Sequence, residues 1–191
     1  MKKEFFDKCA GEWHYPPESK YKLIQENIIP LLDLKQTDTV LDACCGTGFL
    51  IPLLKGKCAK IFALDYSVNM LNKAEEINGN AASYIEASIE DAYCDDEEFD
   101  KIILHNALPH IDDKQKAFKE CSRILKPCGI LVISHDANKN QIDAFHKKCS
   151  HPVKNDMLPS NKEIIIFASA AGFKTVEILD EENYFAAVCK K

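Results

Sequence analysis

At 191 residues the chain has the length of one domain and buries roughly two-thirds of the surface its unfolded form exposes. With 46% hydrophobic and 28% charged residues it reads as an ordinary globular protein, neither disordered nor fibrous. The net charge of -6, with Arg123 the single arginine among 24 basic residues, argues against a nucleic-acid partner, which calls for clustered Lys and Arg.

No apolar run reaches the ~20 residues that cross a bilayer, and Met1, Lys2, Lys3, Glu4 and Asp7 give the N-terminus no apolar signal core. A cytoplasmic protein without a membrane partner is expected. Nine cysteines form an odd set in a chain without an export signal, so reduced thiols are the default. Cys58, Cys121 and Cys189 lie in apolar patterns, where Cys behaves as a small hydrophobe.

In chain order, apolar residues at Leu23, Ile24, Ile28, Ile29, Leu31 and Leu32 predict a helix ahead of the first strand. Strands at 39–41, 59–64 and 83–85 then alternate with helices at 50–54 and 68–77. The second half continues with a strand at 101–104, a helix at 117–125, a strand at 130–133, a helix ending at Gly172, and a hairpin of 173–179 with 184–188. Near-continuous apolar strands imply that both sheet faces are covered. The expected fold is a doubly wound, mostly parallel, Rossmann-like α/β sheet of seven strands, with helices on both faces and an antiparallel C-terminal hairpin. Residues 1–191 would form a single domain, with 1–35 an N-terminal arm and helix. Residues 136–160, polar and rich in His, read as a substrate-side insertion after a strand's carboxyl end.

The most informative stretch is Val40-Leu41-Asp42-Ala43-Cys44-Cys45-Gly46-Thr47-Gly48-Phe49-Leu50, a strand, a small-residue turn and a helix start. Gly46 and Gly48 permit positive φ and close backbone approach to a ligand. A dinucleotide fingerprint would place a third small residue where Ile51 stands, so a nicotinamide-dependent oxidoreductase is disfavoured. About twenty residues further on, the next strand ends at Asp65, placed to accept from ribose hydroxyls or, more simply, to cap the helix that Ser67 could cap equally well.

These segments, together with Ala63 to Leu71, Phe99-Asp100 to Leu104 and Arg123 to Gly129, resemble in order a class I S-adenosylmethionine-dependent methyltransferase of small-molecule type. The resemblance implies S-adenosylmethionine as cofactor and a small-molecule acceptor, with homodimerisation left open. It implies that Asp42, Ala43 and Cys44 belong to the cofactor site, that Gly46 and Gly48 face the amino-acid part of the cofactor, that Asp65 holds its ribose, and that Tyr66 and Met70 flank its adenine. Ser88 stands where the family commonly has Asp, leaving the Ile89 backbone to read the ring edge. Cys44 departs from the usual Gly or Ala. The strand ending at His105 would pass beneath the sulfonium.

Five of the six histidines lie at or after the carboxyl ends of the fourth and fifth strands, the ligand edge of an open sheet. As bases, His105 and His135 rank first for nearness to the expected sulfonium; His110, His146 and His151 are substrate-side candidates. His146, Cys149, His151 and Asp156 have a spacing reminiscent of metal ligands, which keeps a metal-binding or sensing protein on the same scaffold as an alternative, although no metal is expected. Adjacent Cys44 and Cys45 read as loop residues rather than metalloid ligands. Near the N-terminus, Trp13 and Tyr15, beside Phe5 and Phe6, are candidate pocket walls.

Overall fold

The computed structural model describes residues 2–12, 17–149 and 152–191. Its sheet contains β1 (Thr39–Ala43), β2 (Lys60–Asp65), β3 (Ser83–Glu86), β4 (Phe99–His105), β5 (Leu125–His135), β6 (Thr175–Asp180) and β7 (Phe185–Lys190), in the spatial order β3-β2-β1-β4-β5-β7-β6. All neighbours run parallel except β7, which is antiparallel to both β5 and β6.

The apolar runs of the central strands serve both faces, because successive side chains point to opposite sides. Leu41, Ile102, Leu131 and Ile133 pack on one face with Phe118, Cys121 and Ile124 of α5 (Lys114–Ile124) and with Ile164 and Ala168 of α7 (Asn161–Ala170). Val40, Ile103 and Val132, one residue away in each strand, pack on the other face with Ile24, Ile28, Leu32 and Leu54. Each such fully buried aliphatic side chain contributes about 1.5–3 kcal/mol by leaving water.

The predicted N-terminal helix is composite. It begins as α2 (Glu18–Leu23), widens into a π-type turn over Ile24–Ile28 and tightens into a 3₁₀ turn over Ile29–Leu32, which stops at Asp33 with φ +48°. Pro30 supplies no N–H, so the regular hydrogen-bond ladder cannot run through it. Between β1 and β2 lies the short α3 (Ile51–Leu54), and after β2 comes α4 (Val68–Asn78), whose first turn is capped by Ser67 Oγ accepting from the Met70 N–H at 3.2 Å.

Residues 136–149 and 152–160 hold more regular structure than their polar composition suggests. They contain α6 (Lys139–Lys148), opened by a capping box in which Asn138 and Gln141 each satisfy the other's backbone N–H. The helix escapes periodicity because only Ile142 and His146 are buried. At the other end of the chain, α1 (Lys2–Cys9) lies against α4.

The chain reverses direction across the sheet between β1 and β4, so the carboxyl ends of β1, β2, β4 and β5 open onto a common edge at this switch point. Ligands of open α/β sheets bind at such a crevice.

Candidate functional site

A cavity of about 560 Å³ occupies that edge. Its floor is the turn after β1. Asp65, 5% exposed, accepts from the Gly46 N–H at 2.8 Å and from the Ser67 N–H at 2.9 Å, tying the tip of β2 to this turn. Burial raises the carboxyl above its ordinary range, against the pull of those N–H donors. Four lone-pair sites on a carboxylate leave it capacity for further donors from the cavity.

The two glycines of the turn do different things. Gly46 has φ +53° and open space where a Cβ would stand, so its requirement is conformational. Gly48 has φ +75°, and a Cβ there would come within 2.7 Å of Asn78 Nδ2 and 3.0 Å of Ala74 Cβ; this glycine lets the turn pack on α4. Neither glycine lines the cavity, nor does fully buried Ala43; the wall is made by Asp42, Cys44, Cys45, Thr47, Phe49 and Leu50. Cys44 takes φ +57°, uncommon for a side chain other than Gly, Asn or Asp. Burial pushes its thiol well up, so it stays protonated.

Asp42 is 2% exposed, and its Oδ2 has no hydrogen-bond partner. Burial, followed by the nearby Asp65 charge, holds this carboxyl well above the ordinary aspartate range. An uncompensated buried acceptor of this kind costs about 1–3 kcal/mol, and a cationic or N–H ligand would remove that cost.

Beyond the turn, Tyr66, Met70 and Ile89 line the cavity. Ser88 lines it too, but its hydroxyl donates to Glu90 at 3.0 Å. The carboxylate absent at position 88 is thus present on the wall two residues later, at Glu90, which the sequence reading missed.

The histidines separate sharply. His105 reaches the cavity, with Nδ1 3.0 Å from Ser134 Oγ and Nε2 3.2 Å from Asn106 Nδ2. Asn106 also donates to Asp136, which pairs with Lys20 at 2.7 Å. Burial depresses the His105 ring to about 4, so it is neutral and weakly basic. His135 does not line the cavity: it ends β5, 3% exposed, opposite Phe185 of β7, with its Nε2 unpartnered and its ring held neutral by burial. The antiparallel neighbour puts the Phe185 ring 6.3 Å from His135, at a position the sequence alone suggested was an open strand end.

His110 does line the cavity, with Nδ1 2.8 Å from Asp156 Oδ2. His146 stands behind it at a ring-centroid distance of 5.0 Å, off the cavity wall. The thiol of Cys149 turns back to its own helix at Phe145 O, 3.5 Å. Among the described residues no group of three or more His, Cys, Asp or Glu is arranged to hold a metal. Trp13, Tyr15 and His151 lie outside the described residues.

From the far end of the chain, α1 closes over the mouth. Lys2 Nζ lies 2.9 Å from Asp156 Oδ1 and 2.7 Å from Asp112, and donates to His110 O at 3.2 Å. Asp7 accepts from Ser67 Oγ and, through its carbonyl, from Asn69 Nδ2 at 3.0 Å. The Phe6 ring meets Tyr66 and His110 edge-on at 6.2 and 5.2 Å. Lys2, Asp112 and Asp156 enter this arrangement without a local sequence signal, because their partners are up to about 150 residues away in the chain.

An open sheet of this strand order, with carboxyl side chains at the tips of β1 and β2 beside a glycine turn, defines a Rossmann-like α/β domain with a ligand crevice at its switch point. A family model described as a methyltransferase domain matches residues 41–133. A demethylmenaquinone methyltransferase of Staphylococcus carnosus is 33% identical over 118 residues, 59% of this chain and 49% of that protein. A chloroplastic 2-phytyl-1,4-beta-naphthoquinone methyltransferase of Arabidopsis thaliana is 36% identical over 116 residues, 56% of this chain and 44% of that protein. The chain therefore spans about half the length of these curated relatives. The solved structure of an S-adenosylmethionine-dependent methyltransferase from Thermotoga maritima superposes with a TM-score of 0.71, covering 98% of this chain and 99% of that one, at 21% identity. The domain match over 41–133, the quinone methyltransferase relatives and the shared fold together support a class I S-adenosylmethionine-dependent methyltransferase.

Proposed function

We propose that this chain transfers a methyl group from S-adenosylmethionine to a small-molecule acceptor. The observation that carries the reading is the unpartnered, buried Oδ2 of Asp42 beside Asp65 on the wall of the cavity. A ligand with a cationic amino-acid end and a sugar suits this donor-poor, carboxylate-lined floor. Asp42 and the turn would hold the amino-acid end, Asp65 the ribose hydroxyls, and Tyr66, Met70, Ser88 and Ile89 the base. When bound, S-adenosylmethionine supplies an electrophilic methyl group.

The protein's own contribution is then positioning and exclusion of water, which supply most of the acceleration for an acceptor held in line. Phe6, Phe49 and Ile111 give the cavity apolar walls beyond the carboxylates. An aromatic ring acceptor, the class named for the quinone-methylating relatives, fits such walls. Residues 136–160 act as the substrate-side segment of a single domain, since Asp156 among them reaches His110. Location in the cytoplasm belongs to the same reading, supported by the odd cysteine count.

Isothermal titration with S-adenosylmethionine and S-adenosylhomocysteine tests the proposal. Binding that weakens at least tenfold in Asp65→Ala supports it. Absence of binding to the wild-type chain overturns it, and enhanced NADH fluorescence on mixing would point to a nicotinamide enzyme instead.

A further inference from the structure

We propose that His110 is the general base of this site, oriented by Asp156 and serving an acceptor that must lose a proton as it is methylated. This rests on the methyltransferase reading above and adds to it a residue and a class of acceptor.

The argument begins with the hydrogen bond between Nδ1 and Asp156 Oδ2 at 2.8 Å. An ionised carboxylate only accepts, so Nδ1 carries the hydrogen and the neutral ring presents its lone pair at Nε2. That nitrogen makes no hydrogen bond to the described residues, and the ring lines the cavity with 21% of the side chain exposed, whereas Asp156 is 8% exposed. Phe6 and His146 pack edge-on against the ring at 5.2 and 5.0 Å and limit its rotation. Lys2 binds the second oxygen of Asp156 at 2.9 Å, which fixes the orientation of the carboxylate. Base, orienting acid and supporting cation thus come from three separate parts of the chain and meet at one wall.

No other described histidine combines these properties. Both nitrogens of His105 are engaged, His135 is buried off the cavity wall beside Phe185 of β7, and His146 is buried behind His110 with Nδ1 unpartnered. The charged and titratable groups facing His110 are Asp156, His146 and Lys2, with Asp112 bound to Lys2. Burial lowers the ring from its ordinary value, Asp156 opposes that, and His146 and Lys2 add to the lowering, so the ring is neutral at pH 7.

In the step, the acceptor's O–H or N–H bond breaks and its proton passes to His110 Nε2. The electron pair stays on the acceptor atom, which bonds the methyl carbon as that carbon leaves sulfur and the sulfonium becomes a neutral thioether. Acceptors without such a proton, thioethers and tertiary amines, gain nothing from this base. Asp156 and Lys2 are positioning residues.

The test uses the full chain saturated with S-adenosylhomocysteine. Diethyl pyrocarbonate, which attacks the unprotonated imidazole nitrogen, is applied across a pH series and modification is mapped to peptides, with His110→Asn as the assignment control. His110 is expected to react in the complex as well as in the free protein, because a base for the acceptor stays accessible once the cofactor is seated. In Asp156→Asn the midpoint of its reactivity should fall by about one pH unit, and ¹⁵N spectra should change from the Nδ1–H tautomer to a mixture. S-adenosylhomocysteine affinity should stay within about threefold of wild type in both variants, showing that they fold. Shielding of His110 by S-adenosylhomocysteine, an Nε2–H tautomer, or an unmoved midpoint in Asp156→Asn overturns the base while leaving the methyltransferase reading intact. Failure of the wild-type chain to bind S-adenosylhomocysteine instead removes the reading on which the base depends.

Discussion

The two sides of the cavity are built by opposite means. The floor comes from two short contiguous stretches, the turn after β1 and the tip of β2, joined by Asp65 accepting from the Gly46 and Ser67 N–H groups. The far wall brings together Lys2 of α1, His110 after β4 and Asp156 after α6, at sequence separations of 108 and 46 residues. Local chemistry can be rigid because one turn fixes it, whereas the assembled wall depends on each of three elements docking. The floor therefore suits a constant cofactor, and the wall is where acceptor choice can vary without disturbing it.

The sharpest way to break this division is His110→Asn, assayed with an acceptor that wild type methylates. Loss of a general base should lower kcat by about 10²–10⁴-fold, with S-adenosylhomocysteine affinity nearly constant. A parallel loss of cofactor affinity would show that the halves are not separate. Next in size is acid sensitivity. His105 is depressed to about 4 by burial, so between its unfolded value of 6.5 and that value the unfolded chain binds the extra proton. Stability should therefore fall as pH drops through this window, by up to about 3 kcal/mol from this ring, with buried His135 acting in the same direction. Denaturant titrations at pH 7 and 4.5 check it, and equal midpoints would contradict the neutral assignment.

Asp65→Ala strands two backbone donors and should cost the floor about 2 kcal/mol of cofactor binding, roughly thirtyfold. A change of similar or smaller size should come from Asp42. Its raised carboxyl must ionise to receive a cation, so cofactor binding releases a proton and tightens as pH rises. Calorimetry in buffers of different ionisation enthalpy reads this directly, and Asp42→Asn should abolish the release. The smallest effect is a gain: Cys44→Gly relieves a side chain held at φ +57° and should raise stability by about 0.5–1 kcal/mol.

The floor and the sheet were legible in the sequence because their signals are local. Apolar runs such as Ile102-Ile103-Leu104 and Leu131-Val132-Ile133 show burial on both faces, and the glycine turn followed by Asp65 shows a strand-tip site. What stayed hidden was non-local. The position of β7 against β5 decides that His135 is covered, and no feature near residue 135 records that pairing. His105 and His135 rank above His110 by their place at strand ends, whereas the carboxylate that His110 meets, Asp156, lies beyond a helix whose polar sequence masked it. Gly48 reads as a ligand contact until the proximity of Asn78 shows it packing on α4.

One feature of α1 bears on how molecules pass through this site. The helix covers the mouth, yet none of its residues is fully buried, and its anchors are mainly side-chain hydrogen bonds and ion pairs at the rim. Lifting it would break these side-chain contacts, two of them to buried Ser67 and Asp156, and leave the strand pairing of the sheet in place. Loading and discharge of the crevice thus turn on a local opening of one terminal helix and not on the melting of the domain.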